Sequence, residues 1–191
     1  MLAIGKRELR IAVTAATPVE RESPLRIVLL QGIARGEKMD WILQKATELG
    51  VAGFVPVGSE RSEVKLAGER AGKRLAHWRS VVVAACEQSW RARVPDVAPP
   101  RPLAGALQAL PGDSLRLSLD PGAGMAVASL PAPGERTVVV AIGPEGGWSP
   151  RDRATLAGAG FAGLRLGPRI LRTETAGMAA IAALQSRFGD L

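Results

Sequence analysis

The sequence predicts an α/β protein built on a parallel sheet, and three observations carry that expectation. The first is a β-α-β pattern between residues 26 and 59. An apolar run, RIVLLQ (26–31), precedes a helix with Met39, Ile42, Leu43, Ala46 and Leu49 on one stripe, which ends at Gly50 and is followed by the strand GFVPVGS (53–59). A crossover of this kind joins parallel strands. The second is a set of three strand patterns in the last third, SLRLSL (114–119), TVVVAI (137–142) and GLRLG (163–167), each running straight into Gly or Pro. If these strands are parallel, their loops emerge at one edge of the sheet, where open α/β folds hold ligands. The third is composition: 47% hydrophobic residues, 4% aromatic and no tyrosine describe a core of Ala, Val, Leu and Ile in a chain long enough for one full domain.

The remaining elements follow in order. ELRIAVT (8–14) alternates Leu9, Ile11 and Val13 as a half-buried strand, and TPVERESP (17–24) reads as a linker, so the main domain starts near Pro24. Residues 69–90 form a long helix, with Leu75, Trp78, Val82 and Ala85 on one face and Arg70, Lys73, Arg74 and His77 on another. VPDVAPPRP (94–102) breaks that pattern as a loop. Ser149 is a good N-cap for a helix with Pro150 at its first position and Asp152 as the capping-box acid. Thr173 or Thr175 caps a last helix whose buried stripe is Met178, Ile181, Leu184 and Phe188.

Charge and cysteine usage narrow the class. The 25 basic residues against 18 acidic ones leave a net charge of +7, which favours a polyanionic partner. Cys86 is the single cysteine, so no intramolecular disulfide can form, and among the apolar alanines of its helix it reads as a small buried residue. His77, on the basic side of the same helix, reads as a surface residue. One histidine and one cysteine without a paired motif leave no structural zinc site. No apolar run has the length of a signal peptide or a membrane span, and the expected location is the cytoplasm.

Two stretches carry the candidate chemistry, IGPEGGWSPRD (142–152) and LGPRILRTETA (166–176). The first lacks the lysine and hydroxyl of a Walker loop and the spacing of a dinucleotide fingerprint. Its glycines therefore serve either as turn punctuation or to let backbone close around a ligand that is not an anion. Main-chain N–H and C=O groups on tight loops suit an adenine edge, ribose hydroxyls and a short amino-acid chain, which are the parts of S-adenosylmethionine.

RGEKMDWILQKATELGV, ERSEVKL, AACEQSWRARVP, IGPEGGWS, LGPRILRTETA and ALQSRFGDL occur in this order, and together they resemble the RsmE family of small-subunit (16S) ribosomal RNA methyltransferases over roughly Pro24 to Leu191. The resemblance implies a SPOUT-type parallel sheet with helices on both faces and a C-terminal trefoil knot. It further implies metal-free, S-adenosylmethionine-dependent methylation of uridine N3 by a homodimer acting on ribosomal RNA or the 30S particle. Residues 1–22 resemble the last strand and linker of an N-terminal PUA-like β-barrel, with the methyltransferase domain at 23–191. Carried over by position, the cofactor residues are Leu119, Ile142, Gly143, Pro144, Glu145, Gly146, Gly147, Leu166, Gly167, Ile170, Leu171, Arg172, Thr173 and Ala176.

Uridine N3 carries a proton, so the reaction needs a base and a group that stabilises charge developing on the flanking carbonyl oxygens. Arg172 is the candidate for the second role, with Arg169 behind it as an RNA contact; an arginine stays protonated and is no base. Glu174 and Glu145 are the available carboxylates, and desolvation would raise their proton affinity; Glu174 is the catalytic choice. Arg61, Lys65, Glu87, Gln88, Arg91 and Arg93 are candidate RNA contacts, while Trp148 is expected to pack over its loop. The competing readings are a ribose 2'-O methyltransferase of the same fold and a non-catalytic dimeric RNA-binding or assembly module.

Overall fold

The computed structural model describes residues 3–4, 9–64 and 68–191. Strands β1 (Ala3–Ile4) and β2 (Leu9–Arg10) form a short antiparallel ladder. The rest of the chain runs β3 (Ile27–Gly32), α1 (Glu37–Glu48), β4 (Gly53–Gly58), α2 (Gly68–Ser89), β5 (Asp96–Val97), β6 (Arg101–Pro102), α3 (Leu103–Leu107), β7 (Ser114–Leu119), β8 (Met125–Ala126), β9 (Thr137–Ile142), α4 (Pro150–Gly158), β10 (Ala162–Arg165) and α5 (Thr173–Phe188). These strands make one sheet in the order β5-β4-β3-β9-β7-β10-β8, with β6 also on β4, and every pairing in it is parallel.

Strands β3 and β9 are buried along their whole length because both faces of the sheet are covered. On one face Ile27, Leu29, Val138, Val140 and Ile142 pack with α1, α2 and α5 through Met39, Ile42, Leu43, Trp78, Val82 and Ile181. On the other, Val28, Leu30, Val139 and Ala141 meet α3 and α4 through Leu103, Ala106, Leu107 and Leu156. Cys86 is buried in the first cluster, and burial pushes its thiol up.

Three expectations change. The strand expected over 8–14 is limited, among its described residues, to Leu9–Arg10: Ile11 (65% exposed) and Val13 (79%) have no second layer to bury against, so their alternation has no structural consequence. The loop expected over 94–102 contains β5 and β6, two-residue additions to β4 at the sheet edge, a position that tolerates proline. The last helix is not capped by a threonine: Arg172 occupies the cap position, Thr175 is exposed, and the Thr173 hydroxyl bonds outside the helix. Its buried stripe is also built from smaller residues than Met178 and Phe188, which are half-buried; Ala176, Gly177 and Ala180 let α5 lie close against β9.

Arg91 anchors the edge of the sheet at the amino ends of β3 and β4. Its guanidinium donates to the carbonyls of Thr47 (2.9 Å) and Val51 (2.8 Å), pairs with Glu22, and is 6% exposed. Burial pushes the Glu22 carboxyl up, but the hydrogen bond and charge of Arg91, with the Arg93 amide, outweigh it and leave a net downward shift from 4.5. A carboxyl whose affinity for protons is lower in the folded state adds stability above its unfolded value and loses it as pH falls through the folded one. Melting followed by circular dichroism is therefore expected to show stability falling as pH drops below about 4.5. Arg91→Ala should destabilise the protein by about 3 kcal/mol near neutral pH and remove part of that acid dependence.

Candidate active site

The site is built where the carboxyl ends of the central strands meet. A cleft of about 510 Å³ opens there, lined by the segments that follow β3, β7, β9 and β10 and by the first turn of α5. The register of β3 on β9 pairs Gln31 with Ile142, so the residues after both strands leave the sheet side by side. Gly32 makes this possible. A Cβ there would lie 2.5 Å from the Pro144 nitrogen, so only a glycine lets the Gly143–Pro144 turn pass. The turn closes with Gly147 N–H donating to the Pro144 carbonyl at 2.8 Å, and Gly147 takes the left-handed φ of +66° that a side chain would oppose. Beyond it, Ser149 and Asp152 form the expected capping box, each amide donating to the other's side chain (3.0 and 3.1 Å), with Pro150 opening α4. Trp148 is buried beside Leu156 and Phe161, packing behind the loop as expected.

The predicted cofactor residues converge on this cleft. Leu119, Ile142, Leu166, Leu171 and Ala176 supply apolar wall, while Gly143, Pro144, Gly147, Gly167 and Ile170 supply rim and backbone. Thr173 lines it too, its hydroxyl donating to the Gly143 carbonyl at 2.6 Å. Gly146 lies in the same turn but packs against Arg61, whose guanidinium donates to its carbonyl at 3.1 Å.

The charged lining is mixed. Arg35, Lys38, Arg153, Arg169 and Arg172 stand against Asp120, Glu145 and Glu174. Arg153 is tied to Asp120 at 2.7 Å, and the Gly122 amide, ahead of Arg153, holds the Asp120 carboxyl below its ordinary value. Glu145 accepts from the Arg35 amide at 3.0 Å. Burial pushes its carboxyl up, but that bond, its own amide and the charges of Lys38 and Arg35 outweigh burial and leave it shifted down. This reverses the expectation that desolvation would raise its proton affinity: Glu145 acts here as a loop-fixing acceptor. Glu174 differs, because its Oε2 is buried without a hydrogen-bond partner among the described residues, and Lys38 Nζ is 3.9 Å away.

Other candidates lie elsewhere. Arg91, expected to contact RNA, instead holds Glu22 and two main-chain carbonyls and is withdrawn from the surface. Its contacts place the end of α2 at the opposite sheet edge, so Glu87, Gln88 and Arg93, all exposed, stand away from this chain's own cleft. Lys65 lies outside the described residues. Arg61 is exposed beside the glycine loop, and His77, also exposed, bonds Asp40 at 2.8 Å.

Sequence reasoning missed Arg35, Lys38, Asp120 and Arg153. A signal existed for the first two: ARGEK follows a buried strand at the same edge as the three glycine loops. Gln31, Gly32 and Gln185 were also missed; Gln185 donates to the Leu49 carbonyl at 3.0 Å and accepts from Ser23 at 2.6 Å.

A parallel α/β sheet with a half-apolar, backbone-rimmed cleft at the carboxyl ends of its strands belongs to the class that binds small ligands at that edge. The family model for the RNA methyltransferase domain matches residues 21–185, and the chain belongs to that family. Ribosomal RNA small subunit methyltransferase E of Buchnera aphidicola subsp. Schizaphis graminum is 35% identical over all of this chain and 77% of its own length. Its counterpart in Bacillus subtilis is 32% identical, over 95% of this chain and 73% of its own. The crystal structure of a ribosomal RNA small subunit methyltransferase E from Neisseria gonorrhoeae bound to S-adenosyl methionine superposes with a TM-score of 0.84 at 44% identity, covering 90% of this chain and 70% of that one.

Gly32→Ala is expected to displace the Gly143–Pro144 turn and destabilise the protein by about 1–3 kcal/mol. Because Trp148 closes that loop, its fluorescence should change before the global melt; an unaltered spectrum and melting temperature would refute the close approach as a constraint.

Proposed function

We propose that this chain is an S-adenosylmethionine-dependent methyltransferase that modifies N3 of a uridine in small-subunit (16S) ribosomal RNA, in the cytoplasm and as a homodimer. One observation carries the reading: loops from β7, β9 and β10, together with the start of α5, close one cleft whose apolar wall and glycine-rich rim suit an adenosine with a short amino-acid chain. The names of the relatives and the ligand of the Neisseria structure support the same cofactor and the same class of RNA.

The cofactor supplies a methyl group on a sulfonium, open to in-line attack by a correctly aligned nitrogen. The protein's own part is to align, exclude water and move one proton. Glu174 is the carboxylate suited to taking the N3 proton, since it lines the cleft and its Oε2 has no hydrogen-bond partner among the described residues. Arg172 is exposed on the cleft rim and always protonated, which suits stabilisation of charge spreading onto the uracil carbonyl oxygens. Arg169, on the same rim, and Arg61, beside the loop, suit phosphate contacts. No metal enters this scheme.

The finer architecture is part of the proposal. Strand β10 pairs with both β7 and β8, which a short link over 120–124 joins in the chain, and this insertion supports a trefoil knot of the SPOUT kind. The short antiparallel ladder of β1 and β2 ahead of β3 supports reading this segment as part of a PUA-like barrel. In a homodimer, Glu87, Gln88 and Arg93, distant from their own cleft, would serve RNA held by the partner.

The test is primer extension on small-subunit ribosomal RNA from cells lacking the gene, after incubation with protein and S-adenosylmethionine. An N3-methyl group blocks the pairing edge, so a single strong stop at one uridine is expected. Arg172→Ala and Glu174→Gln should each lower the single-turnover rate by about 10²-fold or more. Cofactor turnover with no stop would point to ribose 2'-O methylation, and absence of cofactor binding by intact protein would point to a non-catalytic RNA-binding module.

A further inference from the structure

Gln31 is the polar exception in β3, fully buried at the end of the run IVLLQG and absent from the cleft lining. Its Nε2 donates to the Gly32 carbonyl at 2.8 Å and to Thr173 Oγ1 at 3.0 Å. The Thr173 hydroxyl has one hydrogen, which it gives to the Gly143 carbonyl at 2.6 Å, so it must accept from Gln31. The Gly32 carbonyl can only accept as well. Both contacts therefore demand the amide nitrogen, and the orientation of the side chain is forced.

That orientation leaves Oε1 buried, without a donor among the described residues, facing the first turns of α5 near Gly177. A buried acceptor without a partner is destabilising, and an apolar residue would avoid it. A carboxylate could not replace the amide, because it has no hydrogen to give. The amide joins the end of β3, the turn after β9 and the start of α5, and two groups in the chain of bonds, Gly143 and Thr173, line the cleft.

We infer that Gln31 is a positioning residue: through Thr173 it fixes the Gly143 carbonyl and the first turn of α5, and so sets the affinity of the cleft for S-adenosylmethionine. This rests on the function proposed above. Acting from behind the wall, it governs cofactor affinity, and because Thr173 stands between Arg172 and Glu174 it also steadies the start of α5 that carries them.

The full chain, Gln31→Met, Thr173→Val and the double variant are titrated with S-adenosylmethionine by calorimetry, and steady-state KM values are measured for cofactor and RNA. Gln31→Met is expected to weaken cofactor binding about tenfold, the worth of one hydrogen bond. The KM for RNA should stay within about threefold, since Gln31 is absent from the cleft lining, while the rate at saturating cofactor falls as the turn carrying Arg172 and Glu174 loosens. The double variant should bind no more weakly than the weaker single variant, as expected when both break one relay. Equal affinity of Gln31→Met and the unaltered protein, or additive losses in the double variant, would overturn the inference alone. No binding by the unaltered, folded protein would overturn the functional reading and this inference with it. Should Gln31→Met melt below the assay temperature, all titrations are repeated at a lower temperature where it is folded: weakened cofactor binding there supports the relay and unchanged binding refutes it.

Discussion

The parallel pairing of β3 with β9 is the constraint on which the rest of this structure depends. Five residues of each strand lie in register, from Ile27 on Val138 to Gln31 on Ile142, and both strands are buried on both faces. Parallel strands must be joined by crossovers, so helices are carried onto the two faces and every strand ends at the same edge. The loops after β3 and β9 are thereby forced together. Their contact is so close that Gly32 cannot carry a side chain against Pro144.

The cleft inherits its character from that crowding. Backbone fills the space between strand ends, and the side chains that remain are either apolar wall or charges held at the rim. Most of those charges are already paired within the protein: Arg153 with Asp120, Lys38 with Glu145, and Arg35 with Glu63. Glu174 stands apart because, among the described residues, its buried Oε2 has no hydrogen-bond partner. A carboxylate held by several donors favours its charged form and so takes up a proton less readily, as Glu145 does. A similar contrast separates Arg91 from Arg172: one is spent on Glu22 and main-chain carbonyls, and the other, at the rim, has no ion-pair partner among the described residues.

The two edges of the sheet divide the labour. At the amino ends, Arg91, Glu22, Ser23 and Gln185 bind the entering chain, α1 and α5 to one another. At the carboxyl ends, Gln31 and Thr173 tie β3, the turn after β9 and α5 together. Helix α5 is therefore fixed at both ends by buried polar contacts, and its first turn is held in place as part of the cleft wall.

The sequence by itself determined the apolar strands, the crossover helix, the Ser149–Asp152 cap and the two glycine-bearing stretches that form the cleft, because each signal lies within a dozen consecutive residues. It misjudged Ile11 and Val13, since an alternating pattern cannot say whether a second layer exists to cover it. Tertiary structure alone decided the rest. Lys38 reaches Glu174 across 136 positions of sequence, Gln31 reaches Thr173 across 142, and Arg91 reaches Glu22 across 69. Composition and periodicity describe which face of an element is apolar, but the partner of a buried polar group is chosen by packing, and that choice turned one arginine into an anchor and one glutamine into a brace behind the site.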